Sequence, residues 1–418
     1  MTVSEETPRT WISYSGITTH RDCPQRWQYR YIRGLEKDDP DDVKVELEFG
    51  NWWHALRAAD SIERGVALGS LRETPTRLRT VDDGPEVHLA PLGDLEAAHE
   101  SGDLDLRGEL LDHAQEWWDS LFPMVQEEWI KRIGTDLVTR LVYADERWHE
   151  RWAQEIPHEE PLAVEFFWKR EMPTLTDPQT AEVADPETDL LGYVDEIYYD
   201  TRRGMVVARD HKTHKEIARQ SSADNMMDSQ LQIYAWGASP DVTSWGKGPI
   251  KAVAYDRVKM VHPSTPNLTK SGRLAQRGGV PAVGSTDLVT YKEWAKGENG
   301  DGVPYEGLRK DGSGAGMYTE EESVVEQLSS SSAQSTWFQR SLTPLNMNVV
   351  RGHLRAAVDS AFDIRRTRVR VKESHEASRN LTSKCKWCPF VDLCRAEMLG
   401  GPDGDYDLEA MRLRSTRR

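Results

Sequence analysis

At Leu162 the sequence changes period, and that change limits the fold more than any other feature. Before it, from about 105 to 160, apolar residues and tryptophans recur at helical spacing in "HAQEWWDSLF" and "ERWHERWAQEI", which reads as helical core. After it, "LAVEFFWKRE", "DLLGYVDEIYYD" and "GMVVARDHKTHK" are β-rich runs divided by turn chemistry, with "DTRRG" as a hairpin turn. A helix over 225–238 ("NMMDSQLQIYAWGA") and a strand ("IKAVAYDRVKMV") follow. Helices ahead of a hairpin, then helix and strand again, make this a chain that mixes α and β elements.

The hairpin is also the most chemical stretch. Alternation puts Tyr193, Asp195 and Ile197 on one face of its first strand, and Ala208, Asp210 and Lys212 on one face of its second. Folding at "DTRRG" brings Asp195 towards Asp210 and Lys212. Converging carboxylates are hard oxygen ligands for Mg²⁺ or Mn²⁺, and a neighbouring lysine can hold a water and offset charge on a pentavalent phosphate. A lone D-x-K on a strand is more often an exposed ion pair. Here it falls in an ordered series: His54 in "FGNWWHAL", G-x-x-D at 192–195, D-x-K at 210–212, then "QLQIY". Gln230 and Tyr234 lie four apart on the expected helix, so both face the same way and can hydrogen-bond a phosphate or order the lysine.

The cysteines tie the two ends together. A first helix is expected from Ile17 to Tyr31, capped by Ser15 or Thr18, with His20, Cys23, Trp27 and Tyr31 at helical spacing. The other three cysteines, Cys385, Cys388 and Cys394, form C-x₂-C-x₅-C at the far end. Four cysteines are too few for a disulfide scaffold, and their clustering points to metal. Four thiolates can hold a tetrahedral zinc or a [4Fe–4S] cube, although zinc sites more often use paired C-x₂-C hooks. Either group would join residues 362 positions apart (385 − 23) and act as a structural staple.

Composition sets the rest. The net charge of −17 argues against wholesale nonspecific nucleic-acid binding. The acids are unevenly spread, however, and basic runs survive in "QRWQYRYIRG" and "DIRRTRVRVK". Arg26, Arg30, Arg365, Arg366 and Arg368 are candidates for the lining of a local basic groove. No apolar run reaches the ~20 residues that span a bilayer, and "MTVSEETPRT" lacks a signal-peptide pattern, so a cytoplasmic protein with no membrane partner is expected. The expected divisions are a helical region with the first cysteine at 1–160, a core carrying the hairpin at 161–261, a loop-rich insertion at 262–345, a helix and cysteine cluster at 346–399, and a mobile tail at 400–418. "SSSSAQS" at 329–335 reads as linker.

"SYSGITTHRDCPQRWQYRYI", "FGNWWHAL", "LLGYVDEI", "VVARDHKTHK", "QLQIYAW" and "CKWCPFVDLC" run in order from residue 13 to 394, and in this order the chain resembles the PD-(D/E)XK nuclease superfamily. The resemblance is to its RecB-like exonuclease branch, which includes the CRISPR-associated four-cysteine exonucleases and bacteriophage relatives. It implies an α/β fold, a restriction-endonuclease-like core with a mixed central sheet and flanking helices, whose N- and C-terminal regions are stapled by a [4Fe–4S] cluster on Cys23, Cys385, Cys388 and Cys394. His54, Asp195 and Asp210 would be ligands of Mg²⁺ or Mn²⁺, with the backbone carbonyl of His211 completing the site. Lys212 would be the catalytic lysine, and Gln230 and Tyr234 the Q-x-x-x-Y motif. Glu165 in "AVEFFW" matches a less specific glutamate ahead of the hairpin. The implied activity is hydrolysis of DNA phosphodiesters, exonucleolytic on single-stranded ends. Protein partners would be those of recombination, replication or CRISPR adaptation, in a host cytoplasm if the chain is phage-encoded. Val194 stands where the superfamily name has proline. The rival readings are a noncatalytic DNA-binding or assembly subunit that keeps the fold, and a hydrolase acting on RNA.

Overall fold

The computed structural model describes residues 10–37, 44–78, 80, 87–176, 183–184, 188–217, 229–266, 276–277, 280–281, 285–296, 303–305, 316–318, 322–374, 377–399 and 411–413. A six-stranded mixed sheet organises them. Its strands are β1 (Thr10–Ser13), β2 (Glu159–Glu171), β3 (Thr188–Asp200), β4 (Met205–His214), β5 (Ile250–Lys259) and β6 (Phe338–Pro344). The order is β1-β3-β4-β5-β6, with β2 antiparallel along β3. β1 runs parallel to β3 and β5 parallel to β4, while β3–β4 and β5–β6 are antiparallel. The α/β class and mixed central sheet that the resemblance implies are what the chain adopts. At the hairpin turn Asp200 accepts the Arg203 N–H at 2.9 Å and Gly204 takes φ 62°, open to glycine without steric cost.

The helices are α1 (Tyr14–Asp22), α2 (Val45–Ala67), α3 (Leu106–Ser120), α4 (Pro123–Ile133), α5 (Leu137–Arg151), α6 (Ser229–Val242) and α7 (Met347–Ser374). Local chemistry sets the ends of the middle three. Asp105 caps α3 through the Gly108 N–H, Pro123 opens α4, Gly134 closes it at φ 97°, and Asp136 caps α5 through the Thr139 N–H. Trp52, Trp53, Trp129 and Trp148 are buried in one apolar core with α2 to α5. Each such ring is worth roughly 4–6 kcal/mol at ~25 cal/mol per Å² of buried surface. A second core joins α1, α6 and α7 to Leu190, Val194, Val206, Ala208 and Val253 of the sheet. Buried ion pairs fix which way β4 faces: Arg209 lies 2.6 Å from Glu159 and 2.8 Å from Glu196, and Glu196 also accepts from Ser61 of α2. Because Arg209 and His211 turn towards this network, Asp210 and Lys212 turn away from it.

The single helix expected over Ile17–Tyr31 does not form. α1 ends at Asp22, Cys23 is extended (φ −163°, ψ 112°), and a short helix restarts at Pro24–Trp27 and continues as a π turn over Gln28–Ile32. The cause is Pro24, whose ring disfavours helical backbone at the residue before it. The cap of α1 is Ser13, which accepts from the Gly16 N–H, rather than Ser15 or Thr18. In the serine run, Ser330 caps a short turn over Ser331–Gln334 that leads into β6. β1 and β6 thus reach the sheet from outside 161–261. The expected start of α6 at 225, much of 262–316 and most of 400–418 lie outside the described residues; Met411–Leu413 pairs antiparallel with Leu35–Lys37. No helix among the described residues is long and apolar enough to cross a membrane.

Candidate active site

The site lies where β3 loses one partner and has not yet gained the next. The β3–β4 ladder ends at Glu196↔Arg209, and β1 attaches to β3 at 188–191. Residues 192–195, the G-x-x-D of the sequence, fill the junction between them. In place of the next ladder bond, the Asp195 carboxylate accepts the backbone N–H of His211 at 2.8 Å. The strands part there, and side chains from three other elements enter.

His54 comes from α2, with Nδ1 3.3 Å from Asp195 Oδ2. The backbone of His211 lies beside the imidazole and weakly favours its protonated form. The His211 ring is buried 3.8 Å from Glu196 and meets the His54 ring edge-on at 6.3 Å between centroids. Burial lowers the His54 pKa, and the Lys212 charge adds to this against the attraction of Asp195. His54 is therefore held neutral, the form that can ligate a cation.

Glu165 is the residue that sequence reasoning left at the margin. The pairs Val164↔Glu196 and Phe166↔Val194 put it opposite Asp195. A carboxylate oxygen of Glu165, one of Asp195 and a ring nitrogen of His54 lie within 4.8 Å of one another. Among the described residues Glu165 is also the one non-glycine with positive φ, at 47°. That conformation costs about 1–2 kcal/mol and persists where the surroundings impose it. One consequence is visible beside it: Val164 and Phe166, two apart on the strand, enter opposite cores. Nothing in "AVEFFW" marks this inversion.

Asp210 stands outside that three-residue group, with Lys212 Nζ 3.0 and 2.8 Å from its two carboxylate oxygens. Burial and then the charge of Asp195 push its pKa up to about 7, against the pull of Lys212. On α6, Gln230 hydrogen-bonds the Tyr234 hydroxyl, and burial, reinforced by Asp210, pushes that phenol up to about 12. Tyr234 packs flat against the backbone of β3: a Cβ on Gly192 would stand 2.7 Å from its ring. The glycine of G-x-x-D is thus explained by close approach rather than by a turn.

One neutral imidazole and a set of carboxylates make a hard donor group suited to Mg²⁺ or Mn²⁺. The electrostatics fit as well. Asp210 is buried beside Asp195 with one ammonium to compensate, so a divalent cation would favour its ionised form.

The cysteines gather elsewhere. Cys23, Cys385, Cys388 and Cys394 line one cavity of ≈ 280 Å³ at the junction of the chain ends. Protein contacts hold the same junction: the Ala377 N–H donates to Gln25 and Gln28, Arg33 pairs with Glu397 at 2.7 Å, and Lys384 pairs with Asp22 at 2.7 Å. Arg379 hydrogen-bonds the Cys394 sulfur. Of the arginines proposed for a basic groove, Arg26 lines this cavity, Arg368 lies over Trp27, and Arg366 pairs with Asp363 at 2.8 Å.

No curated protein matches the chain significantly. A family model of the PD-(D/E)XK nuclease superfamily matches residues 11–395. That match runs from β1 through the parted hairpin to the last cysteine, and the chain belongs to the PD-(D/E)XK nuclease superfamily.

Proposed function

We propose that the chain is a Mg²⁺- or Mn²⁺-dependent deoxyribonuclease that degrades DNA from single-stranded ends and carries a structural [4Fe–4S] cluster. The observation that carries the catalytic reading is the meeting of His54, Glu165, Asp195, Asp210 and Lys212 where β3 and β4 part. His54, Asp195 and Asp210, with the His211 carbonyl, would hold the cation, and Glu165 adds an oxygen from β2. When bound, the ion supplies charge for the developing phosphorane and lowers the pKa of a water. Lys212, 38% exposed beside Asp210, is placed to orient the attacking water and to balance charge on the phosphate. Gln230 and the protonated Tyr234 offer neutral donors to a phosphate oxygen and hold the backbone in line.

The cluster reading rests on the cysteine pattern: one lone cysteine and a distant C-x₂-C-x₅-C triplet is unusual for zinc, which more often uses paired C-x₂-C hooks. The four cysteines share a cavity, and the Arg379 hydrogen bond to Cys394 is the kind that tunes a cluster.

Two assays test the proposal. Anaerobically purified protein should contain iron and acid-labile sulfide in equal amounts; zinc alone would contradict the cluster. A panel of 5′- and 3′-labelled linear DNA, circular single-stranded DNA and RNA should show stepwise shortening of linear DNA with the circle spared. Cleavage of the circle would make the enzyme an endonuclease, and equal cleavage of RNA would remove the DNA preference.

A further inference from the structure

Phe167 and Tyr193 are cross-strand partners on β2 and β3, two residues from Glu165 and Asp195 respectively. They are exposed, 46% and 40%, and their rings pack at 5.1 Å between centroids. Neighbouring Phe166, Val194 and Trp168 are all buried, so the exposure is specific to this face. The two rings share a cavity of about 340 Å³ with Glu165, and the segment Glu73–Arg77 forms its opposite wall. Two residues further along β2, the Lys169 ammonium is 47% exposed and 2.9 Å from Asp189. From the carboxylates outward the strip therefore reads acid, aromatic, cation, with successive steps of ~7 Å along the strands.

We infer that Phe167 and Tyr193 form a stacking subsite for the nucleobase beside the scissile phosphate. The inference rests on the reading above that the substrate is a single-stranded polynucleotide. An unpaired base has both faces free to stack, whereas a base within a duplex does not, so the subsite favours single-stranded or frayed ends. It also positions: a base seated on the rings draws its phosphate towards Glu165 and Asp195. Stacking is tolerant of base identity, so the subsite selects strandedness rather than sequence.

The test uses the full-length protein in EDTA with oligonucleotides carrying 2-aminopurine at the terminal or penultimate position. Wild type should quench the fluorophore at one of these positions. Phe167→Ala and Tyr193→Ala should lose the quenching and bind about 10-fold more weakly, and Phe167→Trp should restore both. Equal quenching and affinity in wild type and both alanine variants would overturn the inference. With Mn²⁺ present, removing the base at that position should slow wild type by the same factor as Phe167→Ala slows cleavage of the intact strand, with no further loss when the two are combined. Independent, multiplicative losses would also overturn it. Failure of the nuclease reading looks different, because wild type would then cleave neither intact nor abasic strands.

Discussion

Gly192→Ala tests whether the close packing of β3 against Tyr234 sets the geometry of the site. The added Cβ would stand 2.7, 2.9 and 3.0 Å from Cε1, Cζ and Cδ1 of the ring, where carbon contacts normally settle at about 3.5–4.0 Å. The ring must retreat by roughly 1 Å, and it has little freedom: Tyr234 is buried, packs edge-on against Trp168 at 5.6 Å and is tied to Gln230. Overpacking of this kind costs ~1–3 kcal/mol. A shift of ~1 Å in a positioning group can cost ~100-fold in rate. Urea unfolding in EDTA and kcat/KM on end-labelled single-stranded DNA measure the two effects. Adding Tyr234→Leu should recover the stability without recovering the rate, because the clash is gone and so is the phenol. A Gly192→Ala protein as stable and as active as wild type would refute the reasoning.

Further expectations concern the other sites. Glu165→Gln should weaken Mn²⁺ binding, measured by calorimetry, and reduce cleavage at least 10-fold while leaving stability within ~1 kcal/mol, since the substitution keeps the shape. His20 is buried against Thr367 of α7, and its pKa is pushed down to about 4 by burial, with Asp363 opposing. Its folded pKa lies below the unfolded value, so the unfolded chain binds the extra proton and stability falls on acidification from pH 6.5 towards 4. Urea midpoints should show a loss of ~2 kcal/mol between pH 6.5 and 5 that His20→Gln largely removes. Cys388→Ala should lose the cluster's visible absorbance and much of its stability and solubility. A variant that stayed equally soluble and stable without any metal would contradict the staple.

Much of this was legible in the sequence, for a physical reason. Alternation put Asp210 and Lys212 together on β4, opposite Arg209, whereas on β3 Val194 and Ile197, three apart, enter the same core, so the shared face expected for Tyr193, Asp195 and Ile197 does not hold. The tryptophan-rich region was legible as helical from its periodicity, while its division into three helices at Pro123 and Gly134 was not read. Glu165 was legible only through the resemblance: its positive φ inverts the face of β2, and alternation assumes no inversion. β1 and β6 were missed because their pairing depends on distant strands rather than on periodicity of their own. The break at Cys23 is a different case. Pro24 is a local signal for it that the helical spacing of His20, Cys23, Trp27 and Tyr31 does not include.

The central claim is that the group where β3 and β4 part hydrolyses phosphodiesters with a divalent metal. The most direct test compares wild type with Asp210→Ala on end-labelled single-stranded DNA in Mn²⁺, Mg²⁺ and EDTA, with the visible spectrum recorded for both proteins. The account predicts cleavage in either metal and none in EDTA, with loss of at least 1000-fold in the variant (about 4 kcal/mol at the transition state) while its spectrum is unchanged. A folded, coloured wild type that leaves DNA intact in both metals, or an Asp210→Ala variant that cleaves as wild type does, would contradict it.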